Sequence, residues 1–176
     1  QYAFVNTMAP LKINDVTLKL TGNLLNYHAE LKGGVDGMDY IPASQVDLNA
    51  DGKLYEVTVN KLGIASLDGK SEFVGTANWK EGANWDVQAD LEKMNIGFYV
   101  PVMPATLSGK LHSRGFAGSQ GWQVELPVAD LNGTLSSNPI SLKGSATLNQ
   151  NVLLTVPDLQ IRYGENHLNA RGVLDD

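Results

Sequence analysis

Residues 67–79 have the sequence Leu-Asp-Gly-Lys-Ser-Glu-Phe-Val-Gly-Thr-Ala-Asn-Trp, and this stretch decides the fold. Its odd positions, from Leu67 through Phe73 to Trp79, are apolar or small, while its even positions are almost all polar. Successive side chains of a β-strand point to opposite faces, so this alternation gives one apolar and one polar face. A helix does not fit, because Leu67 and Lys70 would share one of its faces. The stretch therefore predicts a long antiparallel strand that is dry on one side and hydrated on the other.

The same pattern recurs along the chain. The spacing Leu-x-Gly-Lys followed by a second glycine occurs at residues 67–75 and again at residues 107–115, and each copy is followed by a tryptophan, Trp85 or Trp122. Shorter Leu-x-Gly copies occur at Leu20/Gly22, Leu31/Gly33, Leu131/Gly133 and Leu142/Gly144. Repetition of this kind on strands predicts a one-dimensional stack of similar units.

Alternation continues through most of the sequence and predicts roughly a dozen amphipathic strands joined by hairpin turns. One turn is predicted at Asp51-Gly52, a dipeptide typical of two-residue hairpins. Residues 1–12 lack alternation and are expected to lead into the first strand. Residues 93–106 contain two prolines and predict an edge or a crossover connection. No stretch favours a helix.

The sequence thus predicts an all-β fold, and the apolar faces of its strands must be covered by something. One arrangement is a closed sandwich, in which two sheets fill the core between them. The other is a long curved sheet, antiparallel or mixed, that folds over on itself and leaves an apolar groove. Glycines on the apolar face, such as Gly75 and Gly109, suit either sharp curvature or space for something other than protein. The pattern alone leaves both arrangements open.

The composition limits the possible partners. A chain of 176 residues suits one domain, and we expect residues 1–176 to be a single β domain within a longer repeat protein. The formal net charge is -6, with 13 Lys and Arg against 19 Asp and Glu and no basic cluster, so nucleic acid is not an expected partner. The absence of cysteine excludes disulfides and thiolate metal sites.

Three short motifs bear on catalysis or metal binding, and each lacks a required part. Asp47-Leu-Asn-Ala-Asp-Gly52 matches the start of a calcium loop, but Thr58 stands where the closing Glu is needed. Gly69-Lys70-Ser71 lacks the first glycine and the helix of a phosphate loop. His112 and Ser113 are neighbours on a predicted strand and so face opposite ways. We therefore expect no catalytic residues, no metal site and no cofactor.

Several features together resemble the C-terminal part of proteins of the TamB family. They are the repeated Leu-x-Gly-Lys strands, the turns Gly82 to Trp85 and Gly121-Trp122, and the run Trp-Gln-Val-Glu-Leu-Pro-Val-Ala-Asp-Leu-Asn-Gly at residues 122–133. The resemblance covers nearly the whole chain and implies a folded-over, taco-like sheet with a hydrophobic interior. It places the chain with AsmA-like and bridge-like lipid-transfer proteins, in the periplasmic part of an inner-membrane-anchored protein of a Gram-negative bacterium.

The function that this resemblance implies is that of the translocation and assembly module. The implied passengers are apolar segments of outer-membrane proteins such as autotransporters, phospholipid acyl chains moving between the membranes, or both. The implied partner is the outer-membrane β-barrel TamA, which the full-length protein would contact through another segment. The family has no catalytic residues, which agrees with the motif search.

A groove of this kind would be lined by residues of the apolar face. We expect twelve side chains to contact the passenger: Phe73, Trp85, Val87, Leu91, Leu111, Trp122, Val124, Leu135, Ile140, Leu142, Leu154 and Ile161. A second function class also remains. In it the chain is a closed sandwich that acts as a spacer or adhesion module, or that binds carbohydrate through its tryptophans.

Overall fold

The computed structural model of the chain describes residues 12–37, 42–99, 102, 104–151 and 153–175. They form one sheet of 11 strands, in which every strand is antiparallel to its neighbours and the spatial order is the order of the sequence. The strands are β1 (Ile13–Asn23), β2 (Asn26–Val35), β3 (Ser44–Lys53), β4 (Glu56–Ser66), β5 (Gly69–Asn78), β6 (Ala83–Asn95), β7 (Ala105–Gly118), β8 (Gly121–Leu135), β9 (Asn138–Asn149), β10 (Leu154–Tyr163) and β11 (Asn166–Leu174). The prediction of an all-β fold is confirmed. Of the predicted leading segment, residues 1–11 lie outside the described residues.

Residues 67–79 contain β5, the fifth of the eleven strands, which has shorter bounds than the alternation indicates. β5 begins at Gly69, because Leu67 and Asp68 have φ angles of 54° and 58° and form the turn of the β4–β5 hairpin. Two consecutive residues with positive φ are typical of a type I′ turn, whose twist matches that of paired strands. Alternation does not reveal such a turn, since Leu67 continues the apolar pattern.

The predicted turn at Asp51-Gly52 is wrong. Both residues lie inside β3, and the turn is made by Leu54 and Tyr55. Asp51 is held in the strand because its carboxylate accepts hydrogen bonds from side chains on β2 and β4. Gly52 is held there because the ring of Tyr27 on β2 occupies the space that a side chain at Gly52 would take.

Residues 93–106, which were predicted as an edge or a crossover connection, join β6 to its neighbour β7. β6 continues to Asn95, one turn of 3-10 helix covers Ile96–Phe98, and β7 then returns beside β6. The side-chain oxygen of Asn95 accepts a hydrogen bond from Gly97 N, which caps this turn. Within the described residues this is the one helical segment, whereas residues 100, 101 and 103 of the prediction lie outside them.

Irregular pairing interrupts most of the strand ladders. Eight of the ten strand pairs contain a register shift. Four of the shifts fall at Pro127 or Pro157, residues that lack the N–H of a regular ladder and are tolerated at bulges. Bulges kink a strand and increase its twist, so the register shifts give the sheet curvature.

Glycines on the apolar face allow close approach of backbone. An added Cβ at Gly75, Gly109 or Gly133 would overlap a carbonyl oxygen of the neighbouring strand, and at Gly75 and Gly109 the φ angles are 159° and 140°. The space beside these glycines is therefore filled by the protein's own main chain. Of the two roles that the sequence left open, the structure supports sheet curvature at these positions.

No second layer covers the apolar face within the described part of the chain. Extensive contacts join only strands that are neighbours in the sheet, together with a small contact between β7 and the 3-10 turn. Among the residues that the structure describes, buried apolar residues are few for a sheet of this size: Ala50, Ala89 and Met94. The described residues thus form a single open sheet and no closed sandwich.

Candidate functional site on the apolar face

Cross-strand pairing shows which side chains share a face, because residues directly opposite each other on neighbouring strands point the same way. One row runs from Leu62 through Phe73 and Ala89 to Leu111 and Ala129, on strands β4 to β8. The rows on either side of it are also largely apolar or glycine. Together they make one face that is apolar from β1 to β11, which we call the apolar face.

All twelve predicted groove residues lie on this face. Through cross-strand pairing, Trp85 shares a row with Val124, and Leu91 shares a row with Leu142. Leu135 and Ile140 lie in adjacent rows of the same face. The remaining members join by the same pairing: Phe73, Val87, Leu111, Trp122, Leu154 and Ile161. Eleven of the twelve are half-buried by their neighbours, and Trp122 is 37% exposed. Their contact with a passenger stays a prediction.

The face also extends over strands that the prediction left out. Leu18, Leu31 and Leu48 on β1, β2 and β3 stand in the same row as Leu62 and Phe73. The signal was available, because these strands have the same alternation as β5. Exposure rises toward the edge of the sheet, where Leu18 on β1 is 61% exposed.

Two aromatic rings lie against glycines on this face. The ring of Tyr27 lies over Gly52, and the indole of Trp85 lies over Gly115 on the next strand. The indole nitrogen of Trp85 also donates a hydrogen bond of 3.1 Å to Ser113 Oγ. Trp85 is therefore fixed as part of the wall, with its polar atom satisfied by the neighbouring strand.

The opposite face is polar and carries ion pairs between neighbouring strands. Arg114 Nε lies 2.6 Å from Glu125 Oε2, and Lys143 Nζ lies 3.2 Å from Asp130 Oδ2. Similar pairs are Lys19 with Glu30, Lys61 with Glu72, Lys110 with Asp90, and His112 with Asp86. Each exposed pair contributes only about 0–1 kcal/mol. Their larger effect is on register, since a one-residue slip would bring charges onto the apolar face.

The best-connected polar cluster joins β2, β3 and β4. His28 Nδ1 lies 2.8 Å from Asp51 Oδ1, and Asn60 Nδ2 donates to Asp51 Oδ2 at 2.6 Å. The hydrogen bond with Asp51 raises the pKa of His28, with a smaller contribution from Glu30. The pKa of Asp51 is lowered, chiefly by the hydrogen bond from Asn60 and then by that from His28. The pKa of Glu30 is lowered chiefly by the charge of Lys19.

The three short motifs take ordinary positions in the sheet. The Asp47–Gly52 run is part of β3, and Gly69-Lys70-Ser71 opens β5. His112 faces Asp86 on the polar side, whereas Ser113 bonds Trp85 on the apolar side. The residues that the structure describes include no group of three His, Asp or Glu side chains placed to hold a metal ion. They also include no helix long and apolar enough to cross a membrane.

The chain matches a protein family and curated relatives. Residues 5–176 match the family model described as TamB, N-terminal domain. The chain is also 88% identical, over all of its 176 residues, to the translocation and assembly module subunit TamB of Haemophilus influenzae (strain ATCC 51907 / DSM 11121 / KW20 / Rd). It spans 14% of that relative's length. No solved structure matches the chain.

The family model corrects one part of the resemblance. The motifs indicated the C-terminal part of the family, whereas the matching model describes an N-terminal domain. The motifs are strand repeats, and a repeat that recurs along a stack of similar units does not report its position in the stack.

Proposed function

We propose that this chain, which belongs to the TamB family, supplies a stretch of apolar surface. On this surface the translocation and assembly module carries apolar passengers through the periplasm. The passengers are segments of outer-membrane proteins such as autotransporters, phospholipid acyl chains travelling between the inner and outer membranes, or both. The chain acts by binding, without catalysis, as the periplasmic part of an inner-membrane-anchored protein of a Gram-negative bacterium. The β-barrel TamA is the module's outer-membrane partner and is contacted by another segment.

One observation carries this proposal: an apolar face spans all eleven strands and has no protein layer over it in the described residues. Apolar area removed from water contributes about 25 cal/mol per Å². A sheet that leaves such a face uncovered gains free energy from any apolar chain laid along it. Soluble proteins rarely expose apolar patches of more than a few hundred Å² unless the patch has a binding role.

The apolar face binds the passenger, and the polar face on the other side of the sheet contacts water. Acyl chains and apolar peptide segments offer no partner for a charge, so the ion pairs must lie on the other side of the sheet. The pairs Arg114–Glu125 and Lys143–Asp130 do lie there. A passenger on the apolar face therefore meets almost no charged group, while water meets a face of closely paired charges.

The test is to measure what the chain carries. The 176-residue chain is produced in the periplasm of a Gram-negative host and purified, and its bound lipids are extracted and identified by mass spectrometry. We expect phospholipid in the parent and much less in Val87→Arg, because Val87 lies on the apolar face. The matched control is Gln88→Arg, one position away on the polar face and exposed, which should keep its lipid.

Two outcomes contradict the lipid arm of the proposal: no lipid in the parent, or equal loss in both variants. The protein arm is tested in parallel by photocrosslinking from position 87 to an unfolded outer-membrane protein. A hydrophobic dye supplies a rapid check, since strong dye binding by the folded chain reports the uncovered face.

A further inference from the structure

One end of the sheet carries large apolar side chains on its turns. Because the strands run up and down in sequence order, the connections β1–β2, β3–β4 and β5–β6 all lie at the same end. The side chains concerned are Leu24 and Leu25 on the first turn, Leu54 and Tyr55 on the second, and Trp79 at the start of the third. We call these five residues the tip patch.

All five side chains of the tip patch are exposed. Leu24 and Leu25 are 77% and 66% exposed, and Leu54, Tyr55 and Trp79 are 46%, 44% and 45% exposed. Later connections at the same end include Ser119 and Gln120 between β7 and β8, and Gln150, Asn151 and the half-buried Leu153 between β9 and β10. Among the described residues at this end, the exposed large apolar side chains of the turns therefore belong to the first three connections.

The main chain of the tips is hydrogen-bonded within the protein. Asn23 Oδ1 accepts hydrogen bonds from Leu25 N at 2.9 Å and from Asn26 N at 3.1 Å. Trp79 N donates to Tyr55 O at 3.0 Å, which ties the third tip to the second. Backbone groups must be satisfied internally before a segment can leave water, because each unpaired group costs several kcal/mol in hydrocarbon. Four backbone groups of these turns meet that condition, because they are hydrogen-bonded within the protein: the N–H groups of Leu25, Asn26 and Trp79 and the carbonyl of Tyr55.

The shape of the patch favours a lipid surface. Neighbouring strands lie about 4.8 Å apart, so three tips form a line roughly 20 Å long and one sheet thick. A protein partner needs a broad complementary surface, typically about 800 Å² on each side. A narrow apolar edge suits shallow insertion, and Tyr and Trp prefer the membrane–water interface because one end of each is apolar and the other polar.

Charge decides which lipid surface fits. The positive and negative charges beside the tips are equal in number, since Lys53 pairs with Glu56 at 3.7 Å and Lys80 adjoins Glu81 in sequence. The chain as a whole has a net charge of -6, which opposes approach to an anionic bilayer. We propose that the tip patch inserts into the interface of a zwitterionic phospholipid bilayer and so holds this end of the sheet against a membrane. This goes beyond the proposed function, which requires only the apolar face.

The experiment is flotation of the 176-residue chain with vesicles of dioleoylphosphatidylcholine. We expect the chain to float with the vesicles and Tyr55→Ser to partition about tenfold less, the loss of roughly one apolar anchor. The matched control is Tyr99→Ser, the same substitution at a tyrosine that is 55% exposed near the opposite end of the sheet. This control should float like the parent, and circular dichroism should show that both variants are folded.

A second measurement locates the contact. The chain has three tryptophans, so Trp85→Phe combined with Trp122→Phe leaves Trp79 as the only indole. Vesicles of phosphatidylcholine brominated on its acyl chains should quench Trp79 fluorescence. Failure of the parent to float, equal loss in the two tyrosine variants, or an unquenched Trp79 would each overturn the proposal. Lipid carried by Tyr55→Ser, measured by mass spectrometry, separates the two proposals, because it depends on the apolar face and should persist.

Discussion

The indole ring of Trp85 in β6 occupies the space beside Gly115 in β7, where a built Cβ would come within 2.5 Å of Trp85 Cζ2. The two residues are paired directly across the strands. An aromatic ring laid over a cross-strand glycine covers main chain that would otherwise be open and fixes the register of the pair. At this point the apolar face consists of the Trp85 indole packed against the main chain of Gly115.

This packing predicts that Gly115→Ala is destabilising. The added methyl group must displace the indole or move the strand, and overpacking of this kind typically costs about 1–3 kcal/mol. The matched control is Gly172→Ala on β11, where an added Cβ would meet nothing within 4 Å. Its free energy of unfolding should change by no more than about 0.5 kcal/mol. Urea unfolding of the three proteins measures both, and equal midpoints would contradict the packing.

A second prediction concerns the pH dependence of the His28 cluster. The pKa of His28 is raised above its ordinary value of 6.5, so its stabilising contribution is fully present below pH 6.5 and is lost as the pH rises through the raised value. The pKa values of Asp51 and Glu30 are lowered from 3.8 and 4.5, so their contributions are present above those values and lost as the pH falls. All three contributions are therefore present between pH 4.5 and 6.5.

We expect His28→Gln to be less stable than the parent within that window and closer to it at alkaline pH. Thermal unfolding at both pH values measures the difference. The direct control is an NMR titration of the His28 ring in the parent and in Asp51→Asn. The pKa should fall toward its ordinary value in the variant, because Asp51 makes the largest contribution to the shift. An unchanged titration would show that Asp51 does not hold the ring in solution.

A third prediction is that a chelator leaves the melting temperature unchanged. The Asp47–Gly52 run is a strand, and the carboxylate of Asp51 is already engaged by His28 and Asn60. Bound calcium would have stabilised the fold by mass action, and its removal would lower the melting temperature by several degrees at a saturating concentration. Scanning calorimetry with and without the chelator tests this directly, with added calcium as the reverse control.

The faces of the strands could be predicted from the sequence, whereas several turns could not. Alternation placed Phe73 and Trp85 on one face because a strand has a period of two whatever its partners. The turn at Asp51-Gly52 was misplaced because side chains from other strands, His28 and Asn60, hold Asp51 in the ladder. Local turn preference was outweighed by contacts that are distant in sequence.

Two other features required the structure. The glycines of the apolar face were ambiguous, and only the neighbouring carbonyl oxygens show that Gly109 serves close approach. The tip patch was visible only as a break in alternation at Leu24-Leu25. That break carries no information on exposure until the order of the strands is known, because strand order decides which turns share an end of the sheet.

The last prediction separates the role of the apolar face from its contribution to folding. Ile140 is half-buried on this face, in the row of Gly133 and Tyr163, and no layer of the described chain lies over it. In Ile140→Glu the carboxylate can therefore reach water, and the chain should fold with a loss well below the several kcal/mol that an unpaired charge costs in a closed core. The same carboxylate should repel an acyl chain or an apolar strand, because hydrocarbon offers it no hydrogen bond.

The matched control is Ser141→Glu, which places the charge on the polar face opposite Arg162. Both substitutions are introduced into the full-length protein in cells, folding of the 176-residue variants is checked by circular dichroism, and assembly of an autotransporter and the phospholipid content of the outer membrane are measured. We expect Ile140→Glu to fold and to fail in at least one of these assays, and Ser141→Glu to support both. Full function of Ile140→Glu would remove this part of the face from the passenger's path, and an unfolded Ile140→Glu would show that the face is covered in solution.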